Sequence, residues 1–115
     1  MNLTKEAILA AKDTNIHSFE VEEWSGTILM RTMSGAARDK FEQTIAHEED
    51  GRVDNIRALL LSLCICDEEG KLLFPSAADV EALGNKDGAV LDRLFKYAMG
   101  INGMNDGAVD DAEKN

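Results

Sequence analysis

Ile56-Arg57-Ala58-Leu59-Leu60-Leu61-Ser62-Leu63-Cys64-Ile65-Cys66 is the most apolar run of this 115-residue chain. Its apolar positions Ile56, Leu59, Leu60, Leu63 and Cys64 recur at the spacing of one helical face, and Leu61 and Ile65 widen that face. The pattern predicts a helix from about Val53 into Cys66. A helix that is apolar on nearly every side is buried centrally or shared with a partner, so this one is expected to be the hub of the core. On a helix, Cys64 and Cys66 point to different faces and neither bridge nor share a metal easily. The run ends at the turn Asp67-Glu68-Glu69-Gly70-Lys71.

Outward from that hub, the downstream segments read in order. Leu72-Leu73-Phe74-Pro75 is short, with Pro75 placed as it would be at the end of an edge strand. Ser76-Ala77-Ala78-Asp79 resembles a capping box with Asp in the Glu position, opening a short helix that stops at Gly84. The next helix spans roughly Asn85 to Gly100, with Val90, Leu91, Leu94, Phe95, Ala98 and Met99 as its apolar stripe. From Met104 to Asn115 the chain is acidic and poor in apolar side chains, and it reads as a frayed or disordered tail.

Upstream, Thr4–Lys12 has the composition of a short helix with Thr4 or Asn2 as its cap. The period then changes to two. Phe19 and Val21 share one side of a strand, Ser25-Gly26 supplies a turn, and Ile28 and Met30 share one side of a returning strand. A lone hairpin is marginal in water, so one of its faces must pack on helices or on another subunit. Ser34 opens another helix as its N-cap, with Ala37, Phe41 and Ile45 in a narrow stripe ending near His47. The expected architecture is α+β and mainly α. It is a small helical bundle with one N-terminal β-hairpin over residues 17–33, in a single domain spanning residues 1–104.

Charge and composition exclude several functions. Twenty-two acids face twelve Lys and Arg, for a formal charge of −10. Such a surface repels phosphate backbones and anionic membranes, so neither nucleic acid nor membrane is an expected partner. No apolar stretch approaches the ~20 residues that span a bilayer, and the first residues lack the pattern of a signal peptide. Two cysteines within an apolar run fit a reducing compartment.

The search for chemistry yields little. His17 and His47 stand apart, without a second ligand at metal spacing, and His47-Glu48-Glu49-Asp50 reads as a solvated charge run. The acids between Asp106 and Glu113 lack the spacing of a calcium loop. Neither a phosphate-binding glycine loop nor a nucleophile with its base can be assigned, and an apolar helix argues against a reactive Cys64 or Cys66. The expectation is a binding protein without catalytic residues, metal or cofactor. Met99, Ile101 and Met104, at a break made by Gly100 and Gly103, are candidate partner contacts because Met repacks readily. Leu94 and Phe95 extend that candidate surface, and Phe41 is an alternative anchor.

The order of these segments resembles the tail assembly chaperones of long-tailed bacteriophages. Met33-Ser34-Gly35-Ala36-Ala37-Arg38-Asp39-Lys40-Phe41-Glu42 is similar to that family's Leu-Thr-Gly-x-x-Arg-Asp-x-Phe-Glu pattern. The hairpin start Phe19–Thr27, the Arg57–Leu63 helix, the Asp67–Lys71 turn, Asp79–Gly84, Leu91–Phe95 and Asn102-Gly103 follow in family order. Gly88-Ala89 departs from it, standing where the family tends to have Ser or Ala. Glycine there costs about 1 kcal/mol of helix propensity and moves the expected helix start.

The resemblance implies a protein that binds the tape measure protein, keeps it soluble, and helps recruit tail tube subunits during assembly. It implies action in the host bacterial cytoplasm, absence from the mature virion, and self-association into a homo-oligomer. It also implies a short form whose longer counterpart arises by ribosomal frameshifting near the adenine-rich codons of Glu113-Lys114-Asn115, the extension contacting tail tube protein. The alternative reading is a structural minor tail or connector subunit retained in the virion.

Overall fold

A computed structural model describes residues 2–47 and 54–104. In chain order these form α1 (Lys5–Ala10), β1 (Ile16–Val21), a 3-10 turn (Glu22–Trp24), β2 (Gly26–Arg31), α2 (Gly35–Ala46), α3 (Ile56–Ser62), β3 (Ile65–Cys66), α4 (Ala77–Gly84) and α5 (Gly88–Ile101). The fold is α+β and mainly α, as expected.

The hairpin forms where the two-residue period placed it. β1 and β2 pair antiparallel with Phe19 opposite Ile28 and His17 opposite Met30. Val21 and Met30 are fully buried, so the hairpin spends one face on the helical core. The connection is longer than a two-residue turn. The 3-10 turn carries Trp24, and Ser25 reverses the chain in the left-handed region at φ 55°.

The helix starts follow their caps. Hydroxyls of Thr4, Ser34 and Ser76 accept the backbone N–H of Ala7, Ala37 and Asp79, at 3.1 Å in each case. The Asp79 carboxylate accepts the Ser76 N–H at 3.2 Å, completing the capping box. α5 begins at Gly88 rather than Asn85, because Asp87 accepts the N–H groups of Ala89 and Val90 and makes itself the cap.

The hub helix is shorter than its apolar run. α3 stops at Ser62, and Ile65-Cys66 leaves it as β3, pairing with Leu29 and Met30 of β2 to give a sheet ordered β1-β2-β3. The expectation of a helix into Cys66, with two cysteines on different helical faces, is therefore corrected. Helical and strand periods cannot be told apart in a continuous apolar run, and here the open edge of β2 captures its last residues. Leu72 bridges back to Cys66, and the Leu73 N–H donates to the Ile65 carbonyl at 3.1 Å.

α3 still supplies the centre of the core. Ala58, Leu60 and Leu61 are buried with Phe41, Leu83, Val90, Leu91, Leu94 and Ala98, and α3 packs on both α4 and α5. The acidic run after His47 and the tail from residue 105, both read from sequence, lie outside the described residues.

Candidate partner surface

Two regions of the helical body gather partly exposed apolar side chains. The first lies at the carboxyl end of α5. There the Asn102 Oδ1 accepts the Met33 N–H at 2.7 Å, and Asn102 Nδ2 donates to the Ala98 carbonyl at 2.7 Å and toward Cys64 Sγ at 3.5 Å. The Arg38 guanidinium donates to the Asn102 carbonyl at 3.3 Å. One side chain thus ties the end of α5 to the segment just ahead of α2 and to the turn between α3 and β3. Gly103 takes φ +63°, and the Met104 N–H returns to the Met99 carbonyl at 2.9 Å, so the chain ends its helix with a reversal.

Around that junction Met33, Met99, Ile101 and Met104 are half-buried against the core. Of the six residues singled out from sequence, Phe95, Met99, Ile101 and Met104 share this partly exposed class. Phe41 and Leu94 lie inside the core at 3% and 0% exposure. Phe95 is also set apart from the others by its neighbour: the Arg57 guanidinium sits 6.0 Å from its ring centroid. Arg57 is held there by Asp92 at 2.9 Å, and Asp92 also accepts from Lys96 at 3.1 Å.

The second region was not foreseen from sequence. Leu59, Leu63, Leu72, Phe74, Pro75 and Val80 line an apolar groove of about 330 Å³, with Lys40 at its rim. After the turn at Asp67–Gly70 the chain bridges back at Leu72 and then runs to α4, and the groove lies between this returning segment and the α3 and α4 side chains. Leu72-Leu73-Phe74-Pro75 carried the only signal, an apolar tract too short to be an element of its own. Phe74 also borders an adjoining socket of about 340 Å³ formed with Trp24, Ala82, Leu83 and Lys86. The Lys86 ammonium stands 5.7 Å from the Trp24 ring centroid.

Two thiols and one carboxyl are moved from their ordinary titration ranges by identifiable neighbours. Burial pushes the Cys64 thiol up to about 11, opposed by the Asn102 hydrogen bond and the nearby Arg31 charge. Burial also raises Cys66. Both thiols stay protonated at neutral pH and are unbridged. Two hydrogen bonds from Arg93, at 2.6 and 3.0 Å, hold the Glu23 carboxyl down at about 2. This pair fastens the hairpin turn to α5. Among the described residues, His, Cys, Asp and Glu do not gather into a group that could hold a metal. None of the described helices is long and apolar enough to cross a membrane.

In fold the chain is similar to the solved structure of the bacteriophage HK97 tail assembly chaperone. The TM-score is 0.57 at 22% sequence identity, over 76% of this chain and 84% of that one. Neither a family model nor a curated protein matches the sequence. At that identity the likeness establishes a shared fold, the one anticipated from the order of the sequence motifs.

Proposed function

We propose that this protein is a non-catalytic tail assembly chaperone of a long-tailed phage, acting in the host cytoplasm. In this reading it binds the tape measure protein, keeps it soluble, and helps bring tail tube subunits to it. The observation that carries the reading is the fold shared with the HK97 chaperone along most of both chains. The groove supports it chemically. An amphipathic helix inserts apolar side chains at i, i+3 and i+4 into such a cleft, and Leu59, Leu63, Phe74 and Val80 offer the complementary lining. The formal charge of −10 would then keep the complex dispersed while apolar stripes on the partner are covered.

Co-expression with the tape measure protein of the same phage tests this reading. A soluble complex is expected, with the partner returning to the insoluble fraction when Leu63→Gln and Val80→Gln are combined in a chain that keeps its helical circular dichroism. Leu94 is unsuitable for such a test because it is core, and its substitution would report folding. Absence of binding by the well-folded protein, together with its presence in purified particles, would replace the chaperone by a structural tail subunit.

A further inference from the structure

The groove along Phe74 and the socket beside Trp24 form one continuous surface, because Phe74 lines both and is their shared wall. The hairpin turn sets the far side of the socket. Two hydrogen bonds from Arg93, at 2.6 and 3.0 Å, hold Glu23, and Ser25 lies at φ 55°, in the left-handed region that side chains rarely adopt. Between these two fixed residues Trp24 is only half-buried, and Ala82, Leu83 and Lys86 complete the socket with it. Trp is among the residue types that dominate binding energy at protein interfaces.

Charge at this surface runs against the charge of the chain. Each half has one lysine, Lys40 on the groove and Lys86 on the socket, and among the described residues no Asp or Glu lines either. Asp79 at the start of α4 and Asp87 beside Lys86 accept backbone N–H groups as helix caps, and Glu23 is paired with Arg93. Both lysines are exposed. Physiological salt screens charges more than about 8 Å apart, so a partner seated here responds to the two lysines more than to the net −10 of the chain.

We propose that the two halves hold one partner helix by two apolar side chains, one on each side of Phe74, and that acidic residues beside those anchors face Lys40 and Lys86. The inference rests on the chaperone reading for the source of that helix, a segment of the tape measure protein, and adds which kind of segment is selected. Apolar anchors alone fit any amphipathic helix. The lysines discriminate, because a basic residue at either rim places like charges together whereas an acidic one forms an ion pair. Exposed pairs are individually weak, so the two rims together are expected to contribute a selection of roughly tenfold. The socket also has its own reporter, since Trp24 is the only tryptophan of the chain.

Overlapping peptides covering the tape measure sequence, with any Trp replaced by Phe, test this against the full chain. Anisotropy of labelled peptides reads binding, and Trp24 emission with unlabelled ones reads the socket. The peptides that bind are expected to have Asp or Glu beside two apolar residues on one helical face, and to shift Trp24 emission. Combining Lys40→Glu with Lys86→Glu, at two exposed positions, should weaken them about tenfold with circular dichroism unchanged. Replacing the peptide's acids by lysine should restore affinity for that variant, and replacing them by their amides should weaken binding to the wild type. Binding with Trp24 emission unchanged, or undiminished binding by the double variant, would overturn the inference and leave the chaperone reading standing. Absence of binding by every peptide, from a chain that keeps its circular dichroism, would remove the chaperone reading and this inference together.

Discussion

The carboxamide of Asn102 accepts the backbone N–H of Met33 at 2.7 Å, joining the end of the last helix to the start of α2 across 69 residues of sequence. The same carboxamide donates to the Ala98 carbonyl and toward the buried Cys64 sulfur. No other residue type of this size both accepts and donates in this way at neutral pH. Asn102→Ala leaves a part-buried N–H without its acceptor, at about 1–3 kcal/mol. Urea unfolding should show a midpoint lowered accordingly with an unchanged slope. Asn102→Asp keeps an acceptor for Met33 but loses both donations, and it should be destabilised as well.

The ion pair between Glu23 and Arg93 yields a pH prediction. The Glu23 carboxyl titrates at about 2 in the folded chain against its ordinary 4.5, chiefly through the Arg93 hydrogen bonds. A carboxyl lowered on folding contributes stability that is fully present above 4.5 and lost as pH falls toward 2. Both side chains are 45% exposed, so solvent and salt screen the pair and its effect on stability is modest. Carboxyl NMR titration should find Glu23 depressed in the wild type and raised toward 4.5 in Arg93→Gln. An unshifted Glu23 in the wild type would show that the pair does not form in solution.

Much of this architecture was legible in the residues, and the exceptions share a cause. Caps at Thr4, Ser34 and Ser76 could be read because a hydroxyl before a helical pattern satisfies a nearby N–H wherever the helix packs. The hairpin was readable because Phe19, Val21, Ile28 and Met30 alternate. β3 was not, since Ile65 and Cys66 continue an apolar run and only the neighbouring edge of β2 makes them a strand. The same limit applied to the surface. Phe41 and Leu94 have the composition of anchors, but which side of an apolar stripe faces inward is decided by the elements packed on it. The groove beside Phe74 arises from the path between β3 and α4, a feature no local pattern encodes.

The cap of α5 is a stability determinant that can be isolated. Asp87 accepts two N–H groups, at 2.9 and 3.2 Å, and is followed by Gly88, a poor helix former. Asp87→Ala should cost about 1–2 kcal/mol in chemical denaturation. Gly88→Ala should recover part of that loss, because a Cβ at Gly88 meets no atom within 4 Å and the substitution gains helix propensity. If the two changes are not close to additive, α5 has shifted its starting residue.

Cys64 reports on folding itself. Its thiol is pushed from 9.0 to about 11 by burial, so the unfolded chain loses that proton more readily than the folded one. The sign is that of a group raised on folding: the stability is intact below pH 9.0 and declines as pH rises toward about 11. At pH 8 a disulfide reagent should therefore modify Cys64 only as fast as the surrounding core opens. Labelling should accelerate in step with urea unfolding, and Asn102→Ala, which removes a neighbour of the sulfur, should accelerate it without denaturant. Rapid stoichiometric labelling of the native wild type would mean that the junction between α5 and β3 opens far more readily than the rest of the core.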